Sequence, residues 1–237
     1  MKRTNLLKRF ATLAIATFAV ISMSTSANAQ MFSTQPTEPQ AVTFGLGGGV
    51  NSNMAFGTFN PNGGSGYMKG NWETPTFHIS SEIPVAHDLM ISPRLTYNDF
   101  SSVLDNNASD QRVPESQMIG YAYKTLGADL LLKYSFAGPA HLLVGVNASK
   151  SVQRRVAMGN HEIAAAYQSN DGLPNSTQFY SAIEGGLGYD IPVSPGKAWI
   201  TPEVTYAIPF MNISTGSTGD LRVNTLSTRI TVKFAPF

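Results

Sequence analysis

Two stretches flanking Ala137–Ala140 constrain this chain more than any other feature. Upstream, Leu126, Ala128, Leu130, Leu132, Tyr134 and Phe136 alternate with Thr125, Gly127, Asp129, Leu131, Lys133 and Ser135. Downstream, Leu142, Val144, Val146, Ala148 and Val152 alternate with Gly145, Asn147, Ser149, Ser151 and Gln153. A period of two, held on both sides of a tight turn, is that of a β-hairpin, because successive side chains of a strand point to opposite faces. One face is apolar and the other is mostly small, polar or charged. Long hairpin strands with such faces are expected of a barrel that turns its apolar surface to lipid.

The same rhythm runs through the rest of the chain. It predicts strands over 42–51, 72–84, 89–100, 118–136, 141–155, 178–191, 198–210 and 221–237. Ile119, Tyr121 and Tyr123 fall out of phase with Leu126 onward, which predicts a bulge near Lys124. Long polar loops at 51–70, 101–117, 157–177 and 212–219 alternate with short turns at 85–88, 137–140 and 192–197. Bacterial outer-membrane barrels show this asymmetry, with short periplasmic turns and longer outer loops. A soluble sandwich or lipocalin-like barrel also alternates, but it points its apolar face inward and needs no long–short rhythm. The expected fold is all-β: an eight-stranded antiparallel up-and-down transmembrane β-barrel over residues 42–237.

The N-terminus reads differently. Lys2, Arg3, Lys8 and Arg9 precede an apolar run from Phe10 to Met23, and Ser26-Ala27-Asn28-Ala29 supplies an A-x-A site. Residues 1–29 are therefore expected to be a signal peptide cleaved after Ala29, with 30–41 an exposed periplasmic lead-in. Cleavage removes four of the 16 basic residues and none of the 15 acidic ones, turning a formal net charge of +1 into −3. No excess of positive charge is left to bind nucleic acid. With no Cys, there is neither a disulfide framework nor a thiol site. The location expected is the bacterial outer membrane, in contact with outer-membrane lipid and lipopolysaccharide.

Eight strands, a leader and a terminal Phe237 give the chain a look that resembles the small outer-membrane barrel families. These are the OmpA transmembrane domain, OmpX and the general outer membrane protein beta-barrel domain group. The resemblance implies a non-catalytic role in the envelope, or presentation of the polar loops to an extracellular partner. It also implies recognition of the last strand by the barrel assembly machinery through a terminal aromatic. Phe237 follows Pro236 and lies out of phase with Phe234, so either Phe237 or Phe234 is the candidate signal.

On the polar face lie Glu82, Asp129, Glu184 and Glu203, and with them Arg94, Lys133, Arg229 and Lys233. An eight-stranded barrel is only wide enough for side chains to fill. Four acids and four bases are thus expected to pair into a plug that conducts little. A narrow solute pore is an alternative, and water-exposed rim positions are another for single residues. The one enzyme-like constellation is His78 and Ser80 with Glu82, at alternate positions of one strand. It resembles the H-x-S element of PagL-type lipid A deacylases, although that family carries the element late in the chain. Packing in the lumen is the simpler account. His87, His141 and His161 lack metal-ligand spacing, and His87 and His141 fall at short turns where solvation is the default. Neither a metal nor another cofactor is expected.

Overall fold

The computed structural model describes residues 41–57, 68–106, 119–158, 177–213 and 220–235. The 1–29 leader, the lead-in to residue 40, His161, Phe237 and much of each long loop lie outside these residues. All regular structure among the described residues is strand: β1 Thr43–Gly57, β2 Met68–Ala86, β3 Leu89–Asp99, β4 Ser102–Asn106, β5 Ile119–Ala137, β6 Ala140–Met158, β7 Phe179–Tyr189, β8 Ile191–Ser194, β9 Ala198–Pro209 and β10 Leu221–Phe234.

Every pairing is antiparallel, and the sheet closes on itself. β1 pairs with β2 from Thr43↔Glu82 to Gly57↔Met68, and with β10 from Phe44↔Phe234 to Gly57↔Leu221. The ten segments make eight staves. β3 and β4 are successive parts of one stave, since both lie between β2 and β5. β7 and β8 are likewise one stave, both pairing with β9. Closure leaves no free sheet edge, which is the condition for a sheet to stand in hydrocarbon.

Several boundaries differ from the sequence expectation. The stretches 52–57 and 68–70, expected in a loop, instead extend β1 and β2. Residues 102–106 were expected in a loop and form β4, while 192–194 were expected in a turn and belong to β8. The interruption between β3 and β4 has a local cause. The Asp99 carboxylate accepts hydrogen bonds from the Ser101 amide at 2.9 Å and from the Ser101 hydroxyl. Meanwhile the Asn53 side-chain amide, reaching from β1, donates to the Asp99 carbonyl at 3.0 Å. These contacts hold the backbone at Phe100 and Ser101, where the regular ladder is interrupted. The Phe100 amide still donates to Tyr123 O at 2.9 Å, and the register with β5 resumes unchanged. An irregularity does fall at Lys124/Thr125, but its extra residue is Val152 on β6. β5 itself alternates without a break, so Tyr121 and Tyr123 share the inward face of Thr125 rather than changing phase. The tight turn at Gly138–Pro139 has Gly138 at φ +58°, a conformation that glycine adopts without steric cost.

Alternation sorts the side chains. Along β10, Leu221, Val223, Thr225, Ser227, Arg229, Thr231 and Lys233 are buried, while Leu226, Ile230 and Phe234 are exposed. The outer surface is a continuous apolar belt that includes Leu46, Ile79, Leu95, Leu130, Val146, Ile183, Val204 and Ile230. From Ile200 to Phe210 the belt spans roughly 25 Å along the barrel axis, taking ~3.3 Å per residue and ~40° of tilt. Exposed Phe44, Tyr134, Phe136 and Phe234 edge it at the turn end, and Trp72 edges it at the loop end. Exposed leucines and valines in one band around a closed barrel are stable only against lipid.

Candidate functional site

The lumen is filled in layers. At the loop end sits an apolar cluster of Ala55, Phe100, Tyr121, Tyr123, Tyr180, Ala182, Ile213, Leu221 and Val223. The Phe100 and Tyr180 rings stack with centroids 4.5 Å apart. Ile213 lies in a stretch read from sequence as polar loop, yet it is 1% exposed. Its amide donates to Leu221 O at 2.7 Å, and its carbonyl accepts from the Thr177 amide at 2.8 Å. The chain thus folds Ile213 over its own barrel mouth.

Below this cap lies a layer of amides and hydroxyls. Ser227 donates to Asn51 at 2.6 Å, Thr76 to Asn98 at 2.7 Å, Asn53 to Thr74 at 2.8 Å and Thr225 to Asn53 at 3.1 Å. A cavity of about 10 Å³, bordered by residues including Asn147, Tyr180, Glu184, Ser227 and Arg229, leaves room for about one water.

The charged layers follow. All eight ionisable residues assigned to the lumen are buried, from 0 to 5% exposed. Arg94 donates to both oxygens of Glu203, at 2.6 and 2.9 Å. Arg229 donates to Glu184 at 3.2 Å and has Asp129 at 4.0 Å. Nearer the turns, Lys133 and Lys233 each contact Glu82, at 3.0 Å in both cases. Each also contacts Asp190, at 2.6 Å. Asp190 was not among the residues singled out from sequence. It bridges two lysines from a position that continues the inward phase of Glu184, Gly186 and Gly188. A lone charge in such an interior carries a desolvation penalty of several kcal/mol, and bidentate pairing of this kind offsets it.

His141 departs from the expectation of a solvated turn residue. It is wholly buried, because its ring lies over Gly188, where a Cβ would come within 2.2 Å of Nε2. His87 is exposed and contacts Asp88 at 2.9 Å. His78, Ser80 and Glu82 all point into the lumen and do not join into a catalytic set. His78 Nε2 hydrogen bonds with Thr231 Oγ1 at 3.0 Å, and Glu82 is held by the two lysines. Ser80 Oγ lies over Gly45. Among the described residues no group of three or more His, Asp or Glu is arranged to hold a metal ion. Phe234 faces outward at the barrel seam, paired with Phe44 and Ala198.

Closed register, outward apolar belt and charged interior define a membrane-spanning β-barrel. Within that class it is a narrow, eight-stave barrel whose lumen is occupied by its own side chains. No protein-family profile matches the chain, and no curated protein matches it significantly. Among solved structures it is similar to the outer membrane protein OprG from Pseudomonas aeruginosa (TM-score 0.48, 14% identity, 83% of this chain and 98% of that one). It is also similar to the outer membrane protease OmpT from Escherichia coli (0.44, 8%, 86% and 100%). A third is outer membrane protein W of E. coli (0.40, 11%, 84% and 100%).

Proposed function

We propose that this protein is a non-catalytic barrel of the bacterial outer membrane, with a structural role or one exerted through its long loops. The observation that carries this reading is the filled lumen. Ion pairs occupy the turn-end half, an aromatic cap occupies the loop end, and the cavity between them has room for about one water. Such a plug passes little current. The outer belt contacts membrane lipid and lipopolysaccharide, and the last strand, through Phe234 or Phe237, addresses the assembly machinery. Any extracellular partner is met by the loops.

The deacylase alternative has weaker support, because His78, Ser80 and Glu82 face a packed interior while lipid substrate lies outside the barrel. The test is single-channel recording of the purified, refolded protein in planar bilayers. A flat baseline with rare small events is expected. Steady, large conductance would establish a pore and sink this reading.

A further inference from the structure

Apart from the neutral Asp99–Lys124 pair at 3.6 Å, the charges of the described ion-pair layers do not balance. Glu82, Asp129, Glu184, Asp190 and Glu203 face Arg94, Lys133, Arg229 and Lys233. The turn-end cluster is neutral by itself, with two lysines against Glu82 and Asp190. The excess lies in the middle ring, where Arg94 and Arg229 meet three carboxyl groups. An uncompensated charge in a water-poor interior is strongly disfavoured, so the ring needs one more positive charge.

The histidines do not supply it. An imidazolium donates from both ring nitrogens, but His78 Nδ1 and His141 Nε2 are buried without a hydrogen-bond partner. Glu203 is fully engaged by Arg94, and Glu184 has Arg229 at 3.2 Å. Asp129 is different. Its Oδ1 accepts from Asn147 and from Thr96, at 3.3 Å for the latter. Its Oδ2 is buried without a partner, and Arg229 Nη1 is 4.0 Å away.

We propose that Asp129 is a buried proton-binding site, holding a proton in the folded barrel. The ring then consists of two neutral pairs, Arg94–Glu203 and Arg229–Glu184, with a neutral acid beside them. The charged and titratable groups around it are Arg94 from β3, Tyr180 and Glu184 from β7 and Arg229 from β10. Asn147 and Thr96 keep their hydrogen bonds to Oδ1, and the added hydrogen sits on the atom that lacks a partner. The water-sized cavity is bordered by Asn147, Glu184 and Arg229, three of the groups next to Asp129. The proposal does not depend on whether the barrel conducts.

The experiment uses the full chain folded in lipid vesicles, with its aspartate side chains carrying ¹³C carboxyl groups, read by infrared spectroscopy at neutral pH. A protonated-carboxyl band is expected in the wild type and in D190N, the variant of the other lumen aspartate. It is expected to be missing from D129N, which should keep its urea midpoint. A wild-type spectrum with carboxylate bands alone would overturn the proposal, and so would a band that survives in D129N or vanishes in D190N. If D129N does not insert, the wild-type and D190N spectra decide the matter.

Discussion

Replacing Glu203 by Gln isolates the best-made ion pair in the lumen. Arg94 is 3% exposed, and beyond Glu203 it donates from Nε to the Ser92 hydroxyl over a long 3.4 Å. In Glu203→Gln one of the two strong acceptors becomes an NH₂ group facing a guanidinium N–H. The cation stays buried with half its partner, a change that costs about 3–5 kcal/mol in comparable sites. With a urea slope of about 2 kcal/mol/M, the unfolding midpoint should fall by roughly 2 M. The assay is urea titration of the barrel in lipid vesicles, followed by fluorescence of its two tryptophans. The double variant R94M/E203L replaces the pair with apolar side chains of similar size and should recover most of the loss. The reasoning is refuted if E203Q moves the midpoint by less than about 0.5 M, or if the double variant is no better than the single one.

Other outcomes follow from the same structure. Glu82→Gln should be more damaging than Asp190→Asn in the same titration: both acids contact the two lysines, but each Glu82 oxygen accepts from both of them and its side chain is 6% exposed against 20% for Asp190. Val146→Arg puts a charge in the lipid-facing belt and should cost about 2–4 kcal/mol if it lies near the bilayer midplane, whereas Val146→Leu should be nearly silent. Gly145→Ala should impair insertion, because its Cβ would fall 2.1 Å from the Leu130 carbonyl oxygen, which the ladder holds in place; a normal yield of folded barrel would contradict this. The mass of the protein recovered from envelopes should match a chain beginning at Gln30, and a mass that retains residues 1–29 would refute cleavage after Ala29.

The lumen charges were legible because period-two alternation reports the facing of each residue directly, and Glu82, Arg94 and Arg229 each sit amid regular alternation. Asp190 was missed for a local reason. It precedes a proline-rich stretch read as a turn, although the Glu184–Gly186–Gly188 phase runs straight into it. His141 was misjudged because solvation is a fair guess at a turn, while its burial depends on Gly188, distant in sequence and adjacent in space. The aromatic cap was hidden for a related reason. Leu221 and Val223 are apolar on a face that is otherwise polar, and Ile213 reaches the core through hydrogen bonds to Thr177 and Leu221 that no local pattern encodes.

The central claim is that the apolar faces look outward to lipid and the charges look inward. Gel mobility of the envelope fraction, with and without boiling, tests it most directly. Small closed barrels keep their fold in detergent until heated, so a membrane-bound band that shifts only on boiling is the expected result. A soluble protein whose mobility is the same in both lanes would contradict the account, because such a chain could not leave its leucine and valine belt exposed to water.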